Sequence, residues 1–182
     1  MFEAVVFAVF FLGFRPRCAL EFDDAGESRI EKICRLIASC RYGVHDISRT
    51  ELDEQNRLPR FNMPFELGLF LGARRFGNTD HRRKRCVVLD IDQYRFQRFL
   101  SDIAGSDIRH HGGDIDTCLR AIRDWLASAS RRHLPGQVRL IESYSKFRNE
   151  MPELASAAGL DPADVSYADY ERLVVGWLTP ID

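Results

Sequence analysis

Glu66 is the residue in this sequence whose surroundings best suit it to chemistry. It stands in Phe61-Asn62-Met63-Pro64-Phe65-Glu66-Leu67-Gly68-Leu69-Phe70-Leu71-Gly72, one carboxylate among eight apolar side chains. Burying an unpaired carboxylate is costly, so such a group is paired, protonated or set in a cleft. A place near a helix N-terminus favours its charged form, while apolar surroundings raise its pKa. Poised between these influences, it can serve as nucleophile, base or ribose anchor. Gly68 and Gly72 cost a helix about 1 kcal/mol each relative to alanine. Four residues apart, they clear one stripe of the helix, which predicts close approach by another backbone or a ligand. The alternative is a tightly packed core helix in which Glu66 pairs an arginine.

Other residues invite weaker readings. Asp46 ends the run Tyr42-Gly43-Val44-His45-Asp46 and is either a site carboxylate or the cap of a following turn. His45 points to the opposite face from Asp46 if the run is a strand, which makes it a packed or surface residue. His110-His111 before Gly112-Gly113 suggests a metal, but adjacent histidines diverge and no third ligand has useful spacing. No metal site is expected. Asp23-Asp24, with Gly26 and Glu27, makes a turn and helix start, or a loop over the site. Arg82-Arg83-Lys84-Arg85 reads as a solvated basic turn, with nucleic-acid binding as the alternative.

The elements that must position these residues alternate. Residues 2–12 form an apolar helix closed by Gly13. Arg17 to Glu21 is expected as a short strand. Glu27 to Cys40 is an amphipathic helix, with Ile30, Ile33, Cys34, Leu36 and Ile37 on one side. Arg41 to Ser48 contains a strand. Asn62 to Phe76 is a helix with Asn62 as its N-cap and Pro64 in its first turn. Arg85 to Ile91 has the continuous apolar run of a strand buried on both faces. Gln93 to Ala104 and Asp114 to Ala129 read as helices, with a short strand in Ser106 to His111. Strands alternating with helices argue for a parallel sheet covered on both faces, with active sites at the strand carboxyl ends. Those ends fall at Glu21-Phe22-Asp23-Asp24, His45-Asp46-Ile47-Ser48 and Asp90-Ile91-Asp92, all acidic. After Leu134-Pro135-Gly136 only helix signals remain. Trp125 and Trp177 belong to the core. The expected organisation is an α/β domain over residues 1–130 and a helical extension over 131–182.

Composition bounds the class. The 182 residues are 45% hydrophobic and 29% charged, with a net charge of -1. No basic excess points to nucleic acid, which is not expected as a partner. Lys32, Lys84 and Lys146 are the only lysines among 26 basic residues, so 23 are arginine. A GC-rich bacterial genome accounts for that bias, and a site gripping phosphates or carboxylates is the alternative. The five cysteines lack C-x-x-C spacing, and most sit in apolar runs. They read as buried thiols of a reducing, cytoplasmic compartment. The apolar opening lacks the basic region and cleavage pattern of a signal peptide. It is shorter than the roughly 20 residues that span a bilayer, and no membrane partner is expected.

A strand ending His45-Asp46-Ile47-Ser48, a polar loop, and a helix bearing Pro64-Phe65-Glu66-Leu67-Gly68 resembles the nucleoside 2-deoxyribosyltransferase-like and TIR-like superfamily. The stretch Arg41 to Gly77 is also similar to uncharacterised bacterial TIR-like proteins. The resemblance covers roughly residues 1–128. It implies a flavodoxin-like parallel sheet flanked by helices, and cleavage of the N-glycosidic bond of nucleosides or NAD, with bacterial defence as the expected setting. Glu66 takes the catalytic role and Asp46 sits near the sugar or base. The expected substrate-binding set is Asp46, Ser48, Asn62, Asp23 and Asp24. No cofactor is implied; NAD is a substrate. The family carries an acidic residue a few positions before the glutamate, where this chain has Pro59-Arg60-Phe61-Asn62. It also opens with a strand and loop before the first helix, whereas this chain opens with the helix, so the first strand is missing from the expected sheet.

Three functions compete on this evidence. The first is an enzyme that cleaves an N-glycosidic bond of a small-molecule nucleotide. The second is a TIR-like assembly module whose helical extension meets a second copy or a partner protein. The third is a flavodoxin-like regulator with Asp46 and Asp90 as acidic strand ends; it lacks a convincing switch lysine after the final strand.

Overall fold

The computed structural model describes residues 1–21, 24, 26–50 and 61–179. It is a mixed α/β protein with helices α1 (Phe2–Phe11), α2 (Arg29–Ser39), α3 (Asn62–Phe76), α4 (Thr79–Arg82), α5 (Ile115–Ser130), α6 (Gln137–Ala157) and α7 (Tyr167–Leu178). Strands β1 (Tyr42–Asp46), β2 (Arg85–Asp90) and β3 (Arg109–His110) form a parallel sheet in that order. The register pairs Gly43 with Cys86, Asp46 with Leu89, and Asp90 with His110.

The chain divides into two compact units, one of Asp24–Ala121 and one joining Met1–Asp23 to Ile122–Asp182. The expected boundary at residue 130 falls elsewhere. Helix α1 groups with the C-terminal helices, and α5 is divided between the units. The reason is the all-round apolar surface of α1, which needs cover on several sides. Phe7 is fully buried, with ring centroids 5.3 Å from Tyr144, 5.1 Å from Phe147 and 5.8 Å from Trp177. The Tyr170 hydroxyl donates to the Glu3 carbonyl at 3.0 Å, and Trp177 Nε1 donates to Glu150 at 2.7 Å.

In the sheet unit, α2 begins at Ser28, whose hydroxyl accepts from the Glu31 amide while Glu31 accepts from the Ser28 amide. This reciprocal pair satisfies two amides that a helix start leaves free. Val87, Val88, Leu89 and Asp90 of β2 are all buried, as a strand covered on both faces requires. One face carries Ile47, Val88 and Phe96 against Leu67 of α3. Gly43 lets α3 sit close, since a Cβ there would lie 2.9 Å from the Phe70 ring. On the other face, the Arg109 guanidinium donates to the Ala121 carbonyl of α5 at 2.9 Å.

Several sequence expectations are corrected. Arg17 to Glu21 is not a strand but leads into a 3-10 turn at Ala19–Glu21. Glu21 takes the Arg17 guanidinium at 2.6 Å and the Cys18 amide at 2.8 Å, so local bonds replace a ladder. Gln93 to Ala104 is broken into 3-10 turns Arg95–Arg98 and Ser101–Ile103, because Tyr94 is left-handed at φ 63°. The strand in Ser106 to His111 shrinks to two residues. Asn62 is the first helical residue, not the N-cap; the helix starts at Phe61, whose carbonyl accepts from the Phe65 amide. Only Cys118 among the cysteines is buried; Cys34 is exposed and Cys18, Cys40 and Cys86 are part-exposed.

Among the described residues, no helix is long and apolar enough to cross a membrane.

Candidate functional site

Glu66 lies in the second turn of α3, beside the buried Leu67 and Phe70. Its side chain is 18% exposed, and Oε1 lies 3.7 Å from the Arg29 guanidinium of α2. Burial raises its pKa, and the Arg29 charge offsets only part of that rise. Arg29 is 65% exposed, so its pull acts largely through water and is weak. Among the described residues, Glu66 is thus a desolvated carboxylate with a loose cationic partner in Arg29.

Among the described residues, nothing makes a close approach at Gly68 or Gly72. A Cβ added at either meets nothing within 4 Å. The stripe they clear lies on the exposed side of α3, with Phe65 and Phe76 at 58% and 85% exposure.

The carboxyl ends of the strands hold a second polar group. Asp46 Oδ1 accepts the Ser48 amide at 3.0 Å, a local turn that sets the carboxylate's direction. His111 is 3% exposed, and its Nε2 lies 3.6 Å from Asp46 Oδ1. Its Nδ1 accepts the Gly113 amide at 3.0 Å, which assigns the proton of the neutral ring to Nε2 and directs that N–H at Asp46. Among the described residues, Nε2 has no hydrogen-bond partner within normal distance. Asp90 is fully buried; its Oδ1 takes two bonds from Arg95, at 2.6 and 2.8 Å. The same guanidinium donates to the carbonyls of Ile47 and Ser48, each at 3.0 Å. Arg95 therefore fastens the end of β1 to the end of β2 and fixes the turn that holds Asp46.

The structure does not join the two carboxylates through a shared partner. By strand alternation and register, Asp46 projects on the face opposite Gly43, His45 and Cys86, which is the face against α3. His45 is buried beneath Phe70, with ring centroids 5.1 Å apart, and burial lowers its pKa to about 4. Asp24 spends Oδ1 on the Gly26 amide at 2.8 Å and acts as a turn residue. Asn62 is exposed at the start of α3, and Ser48 contributes its backbone. Asp23 lies outside the described residues. Asp114 accepts from Thr117 and closes the start of α5 after the glycine pair. No group of three metal-ligating side chains occurs among the described residues.

Sequence reasoning weighed His111 only as a metal ligand and passed over Arg95. His111 had one signal, its place directly after a strand. Arg95 had none, because its partners come from 48 and five positions away.

The fold and site define an α/β protein whose parallel sheet carries carboxylates at its strand ends, with a further one on the helix that follows β1. No family model, no curated protein and no solved structure matches the chain.

Proposed function

We propose that the protein cleaves an N-glycosidic bond of NAD or of a nucleoside or nucleotide, with Glu66 facing the reacting sugar carbon. The observation that carries this reading is the desolvated Glu66 carboxylate on the helix after β1, whose ion pair among the described residues is a loose one to Arg29. A flavodoxin-like arrangement and kinship with the TIR-like and deoxyribosyltransferase-like proteins belong to the same proposal. In the reaction the bond from the anomeric carbon to the base nitrogen breaks, and its electron pair leaves with the base. The sugar carbon becomes oxocarbenium-like. A carboxylate oxygen beneath it stabilises the charge or captures it in a covalent ester. Water then supplies hydroxide to that carbon and a proton to solvent. The same reading gives Asp46, at the end of β1, a contact with the sugar or base, which it would have to make from the sheet face opposite α3.

A second reading is a non-catalytic assembly module. The Arg29–Glu66 pair and the exposed aromatics on α3 favour it. Product analysis separates the two. The protein is incubated with NAD, and separately with deoxynucleosides, beside Glu66→Ala. Release of nicotinamide or free base by the parent and not by the variant supports the enzyme. No product from either substrate with folded protein favours the module.

A further inference from the structure

The amino-terminal edge of the sheet carries a charge pattern that net charge conceals. Arg41 directly precedes β1, Arg85 begins β2, and the Arg85 amide donates to the Arg41 carbonyl at 3.0 Å. Because β1 and β2 are parallel, α3 must return to this edge, which brings Arg74 and Arg75 of its last turn here. Arg82 and Arg83 end α4, and Arg82 Nε donates to the Gly77 carbonyl at 3.2 Å, tying that segment to the end of α3. All six arginines are exposed. Lys84, in their midst, is buried and donates to the carbonyls of Ala38 and Cys40 at the end of α2.

From Gly72 to Cys86 the one acid is Asp80. Among the described residues, none of the six forms a carboxylate ion pair. Proximity to helix ends explains Arg74, Arg75 and Arg82 through the backbone dipole. It does not explain Arg41 and Arg85, and like charges gathered on one edge repel, offset at Arg41 by the Tyr42 ring 5.8 Å from its guanidinium. Phe76 stands among them at 85% exposure.

We propose that this edge binds single-stranded nucleic acid, with the arginines on phosphodiesters and the Phe76 ring stacked on a base. Guanidinium forks match phosphate oxygens, and an exposed aromatic within a cationic strip suits unstacked bases. A bilayer surface fits less well, since among the described residues Phe76 is the one large exposed apolar side chain between Gly72 and Cys86. The inference is independent of the role assigned to Glu66.

Fluorescence anisotropy of the full chain with labelled dT20 and rU20 across a salt series tests it. Contact with roughly five phosphates gives a slope of log affinity on log salt near -3.5. The Arg82→Ala/Arg83→Ala double variant is expected to bind at least about tenfold more weakly, with the slope reduced by about 1.4. Phe76→Ala is expected to weaken binding roughly tenfold and leave the slope unchanged. All three positions are exposed, and circular dichroism checks that the fold is kept. A preference between dT20 and rU20 identifies DNA or RNA as the partner. The idea is overturned by no binding at low salt, or by binding indifferent to both variants. Tighter binding to phosphatidylserine vesicles than to either oligonucleotide also overturns it.

Discussion

Asp46 Oδ1 and His111 Nε2 lie 3.6 Å apart, and the Gly113 amide at Nδ1 leaves His111 its proton on the nitrogen that faces Asp46. This couples the ends of β1 and β3 through side chains, although the two strands are not neighbours in the sheet. His111 thus faces a carboxylate whose direction is set by the Ser48 amide. Nitrogen NMR of the labelled ring is expected to show Nε2 protonated and Nδ1 bare at neutral pH. A ring with its proton on Nδ1 would refute the arrangement. On the proposed reaction, His111→Ala should lower turnover less than Glu66→Ala does, because it removes a neighbour of Asp46 and leaves the carboxylate at the sugar carbon in place.

The Arg95–Asp90 pair is expected to be stabilising only as a unit. Arg95→Ala strands a fully buried carboxylate and frees the Ile47 and Ser48 carbonyls, a loss of about 3–5 kcal/mol. Asp90→Leu combined with Arg95→Leu removes both charges and should cost clearly less than Arg95→Ala. Urea unfolding of the single and double variants measures this. A double variant as unstable as Arg95→Ala would show that the carbonyl contacts, not the stranded charge, dominate.

His45 predicts a pH dependence of stability. Burial holds its folded pKa near 4, against 6.5 for the free side chain. Between those values the unfolded chain binds a proton that the folded chain does not, so stability rises with pH across this window. It is fully present above 6.5 and is lost progressively as pH falls toward 4, by at most roughly 3 kcal/mol. His45→Leu removes the titration and should flatten the urea midpoint between about pH 7 and about pH 4.5. Parallel pH profiles for the parent and the variant would exclude this assignment.

Phe7 organises the helical unit by filling the space between α6 and α7. Its replacement by alanine removes the ring contacts to Tyr144, Phe147 and Trp177 and leaves a cavity. The expected cost is about 3–5 kcal/mol, read by thermal unfolding, with a reduced near-ultraviolet aromatic signal. A change below about 1 kcal/mol would mean that the helices close over the gap.

Local chemistry made much of the fold legible in the sequence. The apolar spacing of Ile33 and Leu36 marks α2, and the apolar run after Arg85 marks β2. Both signals lie within a few residues and survive whatever packs around them. The failures came where local hydrogen bonds compete with regular structure. Glu21 captures Cys18 and Arg17, and left-handed Tyr94 interrupts a segment whose pattern alone suits a helix. For the candidate site, the isolation of Glu66 among apolar residues was visible in one dimension, and so was Asp46 at a strand end.

The sequence by itself determined the order of the main helices and strands, the carboxylate on the helix after β1 and the apolar character of α1. Each depends on residue type and short-range spacing. Tertiary structure decided what covers α1, which carboxylate receives Arg95, and that His111 rather than Glu66 faces Asp46. It also gathered arginines from four separate segments along one edge of a chain whose overall charge is nearly zero. Those outcomes depend on strand register and on the return path of α3, which bring distant residues together by a geometry that spacing along the chain does not encode.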